Sequence, residues 1–489
     1  MKAIKNIMIA LSGIALLASC DMDKFFELDR PESNPWLSVD DLEYSVADPY
    51  NTLFQNPNWQ APIGIIPYYQ ELVADLSTVN PQGAYEQEAL YWYPRQMSTF
   101  DVTGQQFEKT FSILYRSVTG ATSPLTYIEE KEKKGEPVFA NMTENDKKTL
   151  ARQTGELYFM RGYTYWLISR AFVAPYDPAG GEGNNRKFIP LINRLDYSQE
   201  SARNPYMGTV KEVYDQMLSD FAKAKSLMPE DYFVRGRANK FSAAMMLMRV
   251  KWLMGDKDGA LEEADYVITK AEAGVAPFDL TEEPIVAFNR NAEQQYTVDP
   301  VSKEVMFECA FTESNQGNNV AIPLARMCKT GIYNFKSKTF DASNKLWLEG
   351  ARGSQNWQHG GWACAYWNPR LIKYIGWAVT DDPMDLTNYV PSAEALADKR
   401  FTQLHYFLKN YTDGGDKTIH EMAYNKTKWN AFWNDKYYRA PYGKYSQVPL
   451  IRLAEAYLTR ATLVLSKNAS QALGDVNKIR QRARLTPLK

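Results

Sequence analysis

Apolar residues recur three or four positions apart in two stretches near the middle of the chain. One stretch contains Leu157, Met160, Thr164, Leu167, Ile168 and Ala171, and the other contains Val210, Val213, Met217, Phe221, Ala224 and Met228. This spacing places each set on one face of a helix, so both stretches are predicted to be amphipathic helices. Thr209 and Glu212 fit a capping box at the start of the second helix.

The same spacing occurs in two further pairs of segments. Segments 241–252 and 260–268 flank the turn 255–259, and segments 450–464 and 472–483 lie near the end of the chain. Short turns make successive helices antiparallel neighbours. The sequence therefore predicts a mainly α fold built from tetratricopeptide-like helical hairpins around 140–272 and 448–484, although an exact repeat of about 34 residues cannot be aligned.

Residues 36–135 and 275–445 lack this strong periodicity and are rich in aromatic residues, Gly, Asn and Pro. We expect long loops with short helices and strands in both segments. Loops of this length inside a compact protein are usually functional when they are ordered, and the aromatic content argues against disorder. We therefore expect a loop-rich binding region around 36–135 and 275–445.

The N-terminus combines Lys2 and Lys5 with an apolar run that is too short to span a bilayer. The run ends in Leu-Ala-Ser followed by Cys20, which resembles the lipobox of bacterial lipoproteins. We expect a lipoprotein signal peptide at 1–19, lipidation of Cys20, a lipidated tether at 20–35 and one domain at 36–489. The alternative is an ordinary secretory signal with an incidental cysteine.

Composition narrows the classes of partner. The chain has 489 residues, 56 Lys and Arg against 58 Asp and Glu, and 13% aromatic residues. A net charge of -2 gives no general attraction to phosphate backbones, so nucleic acid is not an expected partner. Beyond the signal, Cys309, Cys328 and Cys364 form no disulfide framework. We expect three buried free cysteines, although one bridge with a leftover thiol stays open.

The helical segments also resemble a known family. The stretch from Glu156 through Arg161 to Phe172 is similar to the helix pattern E-x-x-F-x-R-A-x-x-Y-x-x-L of the SusD/RagB family, with Gly162 where Ala is usual. Further segments of this family's pattern follow in the same order; they are 209–224, 236–244, 450–458 and 472–483. The order of these segments after a lipobox makes the match specific.

This resemblance implies a SusD-like α-α superhelix and a place at the cell surface. Family members are surface lipoproteins of Bacteroidota that form a lid over a SusC-like TonB-dependent outer-membrane transporter and capture glycans or, in some branches, peptides. The implied partners are thus a SusC-like transporter, a glycan ligand and the outer membrane through a lipid anchor. Asp21 and Asp23 are similar to the acidic residues that follow the lipidated cysteine in surface-exported lipoproteins.

The end of the chain departs from the family pattern. Family members usually continue into helices with an E-R-x-x-E-L stretch and a D-L-R-R-W stretch, whereas this chain ends at Lys489. We expect the surface that this tail normally covers to be exposed.

Motifs for catalysis are missing from the sequence. The three histidines have no metal-ligand spacing, because His420-Glu421 lacks the second histidine of H-E-x-x-H. No nucleophile elbow, Walker loop or dinucleotide fingerprint is present. Glycoside hydrolysis needs only two carboxylates, and the 58 acidic residues offer many pairs without marking one of them as catalytic. We expect no catalytic residues, no bound metal and no cofactor.

Two aromatic stretches are candidates for a ligand site. A pyranose packs its C–H face on an aromatic ring, while its hydroxyls need polar partners. Segments 75–100 and 347–377 combine such rings with Asn, Gln and Arg, and their candidate ligand-binding residues are Tyr85, Tyr91, Trp92, Tyr93, Trp347, Trp357 and Trp362. The alternative for any one ring is core packing or contact with the transporter.

The leading hypothesis is a non-catalytic surface lipoprotein that binds oligosaccharide or polysaccharide and delivers it to a TonB-dependent transporter. One alternative is a peptide-capturing or structural lid of such a transporter. The other is a surface glycosidase.

Overall fold

The computed structural model describes much of the domain between residues 36 and 489. The described residues are 36–54, 62–74, 76–79, 104–196, 198–289, 302–310, 333–334, 339–340, 348–351, 365–380, 382, 390–412, 429–434, 436 and 448–489. The predicted signal peptide at 1–19, the lipidation site Cys20 and the tether at 20–35 lie outside them, and so do Cys328 and Cys364. Cys309 is a buried free thiol.

The described chain is mainly helical, as the sequence predicts. Its helices are α1 (Val39–Phe54), α2 (Pro62–Val73), α3 (Gly104–Lys134), α4 (Glu144–Phe172), α5 (Gln199–Arg203), α6 (Val210–Leu227), α7 (Lys240–Leu253), α8 (Lys257–Glu272), α9 (Pro369–Tyr374), α10 (Ala393–Ala397), α11 (Lys399–Leu404), α12 (Leu453–Val464) and α13 (Ala469–Arg482). None of these described helices combines the length and the apolar character needed to cross a membrane.

The predicted helices of the middle of the chain are confirmed. Segments 157–171 and 241–252 lie within α4 and α7, and segment 210–228 extends one residue beyond α6. At the start of α6, the Glu212 backbone N–H donates to Thr209 Oγ1 over 3.2 Å, and the Thr209 backbone N–H donates to Glu212 Oε2 over 2.8 Å. These two bonds form the predicted capping box.

The turn between α7 and α8 depends on two residues. Gly255 has a φ of +84°, which lets the chain reverse without the strain that a side chain would add. Asp256 caps α8, because its Oδ1 accepts from the backbone N–H of Gly259 over 2.9 Å. The two helices are therefore antiparallel neighbours.

Helix α3 differs from the sequence prediction, because 36–135 was expected to contain only short helices. It spans 31 residues and buries Leu114, Val118, Ala121, Leu125 and Ile128 at helical spacing. Buried hydroxyl residues share this face and hide the apolar period in the sequence; they are Thr110, Ser117, Thr122 and Thr126. The free-energy cost of burying these hydroxyl groups is reduced by hydrogen bonds within the helix. For example, Thr122 Oγ1 donates to the carbonyl of Val118 over 2.7 Å.

The strands are short and pair in small sheets. They are β1 (Ser77–Val79), β2 (Lys187–Pro190), β3 (Met207–Thr209), β4 (Val305–Cys309), β5 (Tyr333–Asn334), β6 (Thr339–Phe340), β7 (Leu348–Ala351), β8 (Ala365–Trp367), β9 (Ala378–Val379), β10 (Val390–Pro391), β11 (His405–Thr412), β12 (Trp429–Asn434) and β13 (Val448–Arg452). Antiparallel pairs join β1 to β8, β2 to β3, β4 to β13, β5 to β6, β9 to β10 and β11 to β12, while β7 runs parallel to β11.

The last hairpin begins later than predicted. Leu450 was expected to be helical, but it lies in β13, and α12 begins at Leu453. The strand forms because 448–452 pairs with the fully buried β4, in the register Val448 opposite Cys309. Tertiary pairing thus overrides the helical spacing of a short apolar run.

One core joins the helices of the body to β4 and β13. Leu114 of α3, Phe159 of α4, Phe221 of α6 and Phe241 of α7 are fully buried in it. Phe307 of β4 packs on this group, with its ring centroid 5.0 Å from that of Phe159. These described helices and strands therefore share one hydrophobic core, and we call them the scaffold.

Buried charges of the family-like helix are part of this scaffold. The Glu156 carboxylate is fully buried and accepts from the Tyr50 hydroxyl over 2.9 Å and from Arg237 Nη1 over 3.2 Å, and it also pairs with Arg152. Burial raises the pKa of the Glu156 carboxyl, and Arg237 and Arg152 oppose this rise. Glu156 therefore links α4 to α1 through Tyr50 and to the residues just before α7 through Arg237.

Candidate functional site

The ligand-binding residues predicted from the sequence are not among the described residues. Tyr85, Tyr91, Trp92 and Tyr93 lie in the segment 80–103, and Trp347, Trp357 and Trp362 lie in the segments 341–347 and 352–364. The proposed roles of these seven rings therefore stay predictions.

Two of these segments, 80–103 and 352–364, are attached to strands that pair with each other. Segment 80–103 follows β1 directly, and segment 352–364 leads directly into β8. In the antiparallel register, Val79 lies opposite Ala365 and Ser77 lies opposite Trp367. The backbone N–H of Asn368 extends the pairing by donating to the carbonyl of Leu76 over 3.0 Å. The two aromatic segments are thus attached to the scaffold side by side.

The residues that follow segment 352–364 form the support of this attachment. Tyr366 is buried, and Asn368 Oδ1 accepts from the Arg370 backbone N–H over 3.0 Å as the cap of α9. Pro369 occupies the first turn of α9, where its missing N–H costs nothing. Tyr366 and Asn368 belong to the second aromatic stretch of the sequence; in the structure one is a buried ring and the other is a helix cap.

Trp367 and Trp377 pack against the ring of His405, a contact that the sequence did not predict. The ring centroid of His405 lies 5.5 Å from that of Trp367 and 4.8 Å from that of Trp377. Phe401 stacks on His405 at 6.2 Å, and His405 Nδ1 lies 2.9 Å from the Arg400 carbonyl oxygen. Only the chain fold brings α11 and β11 to β8, so no local signal in the sequence could predict this aromatic cluster.

A cavity of about 690 Å³ lies beside this aromatic cluster, and we call it the Trp367 cavity. Elements that are distant in the chain contribute to its wall, which includes Trp252, Phe288, Trp367, Trp377, Leu371, Ile375, Arg400, His405, Lys436, Arg452, Glu455, Leu458 and Arg482. The volume lies within the range of about 300–1,000 Å³ that is usual for small-molecule sites. Apolar, aromatic and cationic side chains all line it.

Two arginines in this wall share one carboxylate. Glu304 is fully buried; its Oε1 accepts from Arg452 Nη1 over 2.9 Å, and its Oε2 pairs with Arg482 Nη1. Burial lowers the pKa of the Arg482 guanidinium; Glu304 opposes this shift, and Arg452 and Arg400 add to it. Two guanidiniums against one carboxylate leave a positive balance at this wall.

The other charged groups near the cavity have partners from the protein. Arg400 Nη2 donates to Asp398 Oδ2 over 2.6 Å. Both oxygens of Glu455 accept from Arg249, each over 2.6 Å. Each of these two carboxylates is therefore held by a charge-assisted bond to an arginine of the protein.

Two buried donors in this wall have no hydrogen-bond acceptor among the described residues. They are the indole Nε1–H of Trp367 and the Nε–H of Arg482. A buried donor without an acceptor costs about 1–3 kcal/mol, so such groups are uncommon unless a ligand or water satisfies them.

A second cavity, of about 570 Å³, lies on α6, α7 and α8. Its charged residues pair with each other, since Glu263 accepts from Lys225 over 2.7 Å and from Lys251 over 3.0 Å. Tyr266 is its one aromatic residue among those described, and Lys225 Nζ lies 4.2 Å from the Tyr266 ring centroid. Across the described part of the chain, no group of three His, Cys, Asp or Glu side chains is arranged to hold a metal ion.

Comparisons with known proteins agree on one family. Residues 55–251 match the family model SusD-like_3, which is described as starch-binding and associating with the outer membrane. The chain is 26% identical over 354 residues to SusD-like protein P2 of Formosa agariphila. The match covers 71% of this chain and 59% of that protein, so the chain spans less than two thirds of this relative's length.

Solved structures share the fold. A SusD-like carbohydrate binding protein of Bacteroides vulgatus superposes with a TM-score of 0.62 at 15% identity, over 93% of this chain and 77% of that one. A SusD superfamily protein of Bacteroides thetaiotaomicron gives 0.59 at 17% identity, over 91% and 80%. Surface glycan-binding protein A of Bacteroides uniformis gives 0.57 at 15% identity, over 92% and 82%. The mainly α, SusD-like fold predicted from the sequence is confirmed.

Proposed function

We propose that this member of the SusD/RagB family is a non-catalytic surface lipoprotein that binds oligosaccharide or polysaccharide. It delivers the bound glycan to a SusC-like TonB-dependent outer-membrane transporter. The family model names starch binding and the outer membrane, and the relative from Bacteroides vulgatus is called a carbohydrate binding protein. The lipobox at Cys20 supports anchoring at that membrane.

The pairing of β1 with β8 is the observation that favours a glycan site. It attaches the segment containing Tyr91, Trp92 and Tyr93 next to the segment containing Trp357 and Trp362. Rings from two neighbouring segments can stack on successive sugar units of one chain, which a single isolated ring cannot do. The proposed binding surface therefore consists of both segments together.

Calorimetry and affinity electrophoresis against plant, host and microbial polysaccharides test this proposal. We expect at least one glycan to bind, and Trp92→Ala and Trp357→Ala each to weaken that binding. Tyr44→Ala is the matched control, because Tyr44 is an aromatic residue of α1 that is 83% exposed and lies in neither segment. Absence of binding across the panel would contradict the proposal.

The same variants separate the alternatives. If Trp92→Ala and Trp357→Ala weaken only the association with the transporter, the protein is a structural or peptide-capturing lid. Release of reducing sugar by the purified protein would show a glycosidase.

The anchor has its own test. In cells, Cys20→Ser removes the thiol that would carry the lipid, so we expect the protein to leave the outer-membrane fraction and to lose incorporation of labelled fatty acid. Cys309→Ser is the control, since this buried thiol lies in β4. Unchanged membrane association of the Cys20 variant would exclude the lipid anchor.

A further inference from the structure

We propose that the Trp367 cavity binds an acidic sugar unit, a hexuronate, of the glycan held by the adjoining aromatic segments. This inference rests on the proposed function and specifies the class of ligand. Trp367 lines the cavity and ends β8, whose first residue, Ala365, follows segment 352–364. The cavity is therefore one short strand away from the point where this aromatic segment is attached.

The charges of the wall favour an anion. The cationic lining residues are Arg400, Lys436, Arg452 and Arg482, and Glu455 is the one carboxylate among the lining residues that are described. Glu455 is bound on both oxygens by Arg249. Arg400 is balanced by Asp398, whereas Arg452 and Arg482 share the single carboxylate of Glu304 and so give the wall an excess of positive charge. A cleft with one sign of charge concentrates ligands of the opposite sign.

The cations lie close to the aromatic part of the wall. Lys436 Nζ is 5.8 Å from the ring centroid of Trp367 and 5.9 Å from that of Phe288. Arg452 Cζ is 4.5 Å from the Phe288 centroid. A ligand in the cavity thus meets a flat apolar surface and cationic donors at the same time.

A carboxylate suits the cations of this wall better than a hydroxyl does, because it offers two oxygens with several lone pairs. Charge-assisted bonds to such a group are stronger than bonds to a neutral hydroxyl. A hexuronate has a carboxylate for the cationic side chains of the wall and a C–H face for the partly exposed rings of Trp367 and Trp377.

Isothermal calorimetry on the full chain tests the inference with matched probes. The probes are oligogalacturonate, oligoglucuronate and oligomannuronate, each compared with its carboxyl-reduced neutral form of equal length. We expect at least one acidic form to bind about tenfold or more tightly than its neutral form at low salt, as one charge-assisted hydrogen bond would give. The preference should fall as salt rises.

Lys436→Gln and Arg400→Gln should each remove most of this preference. Both side chains line the cavity and are partly exposed, so each change spares the buried Arg482–Glu304 pair. Lys225→Gln is the control, because Lys225 is a partly buried lysine of the second cavity. Circular dichroism and thermal melting establish that each variant is folded.

Three outcomes overturn the inference. The first is equal affinity of wild-type protein for acidic and neutral forms, and the second is an acid preference that both variants keep. The third is tight binding of an oligoglutamate peptide, weakened by Lys436→Gln, without any preference among the sugars. Neutral glycan binding that depends on Trp92 but shows no acid preference would refute this inference and leave the proposed function standing, whereas absence of all glycan binding would refute both.

Discussion

Arg161 and Asp220 form a two-point ion pair between α4 and α6 inside the helical core. Arg161 Nε donates to Asp220 Oδ2 over 3.0 Å, and Nη2 donates to Oδ1 over 2.7 Å. Arg161 Nη1 also donates to the carbonyl of Asn193 over 2.8 Å, and Gln216 donates to Asp220 over 2.9 Å. The arginine of the family-like helix therefore links α4 to α6 and to the carbonyl of Asn193 inside the scaffold.

Removing one partner of this pair should destabilise the protein strongly. Asp220→Ala leaves the Arg161 guanidinium buried without its counter-charge, and we expect a loss of about 3–5 kcal/mol in the free energy of unfolding. Urea unfolding followed by circular dichroism measures this loss.

The control for this prediction is on the same helix. Lys211 and Asp215 form an exposed pair on α6 at 2.5 Å, so Asp215→Ala should change the stability little. A double variant, Arg161→Met with Asp220→Leu, should be more stable than Asp220→Ala. Equal effects of Asp220→Ala and Asp215→Ala would contradict the role of the buried pair.

Gly162→Ala should destabilise the protein although it restores the residue usual in the family. A Cβ at this position would lie 3.0 Å from Phe221 Cε1 and 3.1 Å from Asp220 Cβ. Both neighbours are fully buried, so we expect overpacking to cost about 1–3 kcal/mol. Thermal unfolding measures the change.

A glycine in α13 supplies the contrast. Gly474 is exposed, and no atom lies within 4 Å of a Cβ built there. Gly474→Ala should therefore stabilise the protein by about 0.5–1 kcal/mol through helix propensity alone. A gain of the same size at Gly162 would show that α4 and α6 can separate without cost.

Local signals in the sequence predicted the elements that depend on local chemistry. The capping box of Thr209 and Glu212 was predictable, because both of its bonds are made within one turn of chain. The partners of Glu156 and Arg161 were not, since Tyr50, Arg237 and Asp220 reach them only through the fold. The motif indicated the family without indicating these contacts.

The candidate site was predictable only in part for the same reason. Aromatic composition indicated two segments, but nothing local relates β1 to β8, which lie far apart in the chain. Helix α3 was missed because buried Thr122 and Thr126 interrupt its apolar face. The strand at Leu450 was missed because its partner β4 is also distant in the chain.

The contribution of the α6 capping box should disappear in acid. The pKa of Glu212 lies below its ordinary value of 4.5, chiefly because the Thr209 backbone N–H donates to the carboxylate, with the Tyr206 hydroxyl adding a further bond. Since the folded pKa is lowered, the ionised form stabilises the fold above pH 4.5, and this stabilisation is lost as the pH falls below that value.

Thermal unfolding of wild type and Glu212→Gln over a pH series measures this effect. We expect wild type to be the more stable of the two near neutral pH and the two to converge in acid. Glu262→Gln, which changes an exposed glutamate of α8, controls for the loss of one negative charge. A gap between wild type and Glu212→Gln that stays constant down to acid pH would rule out the ionised carboxylate as its source.

The pairing of Val79 with Ala365 can be tested by a covalent link. Opposed residues of antiparallel strands have Cα atoms about 4.5–5.5 Å apart, which lies within the range that a disulfide requires. We expect Val79→Cys with Ala365→Cys, in a Cys364→Ser background, to form a bridge under mild oxidation, seen by mass spectrometry of the digested protein. The single-cysteine variants control for pairing with Cys309.

Because the pairing of β1 with β8 already joins the points where the two aromatic segments are attached, the bridged protein should keep the glycan affinity of the reduced form. Failure to form the bridge would contradict the strand pairing, and a loss of binding that reduction restores would show that glycan binding requires the strands to separate.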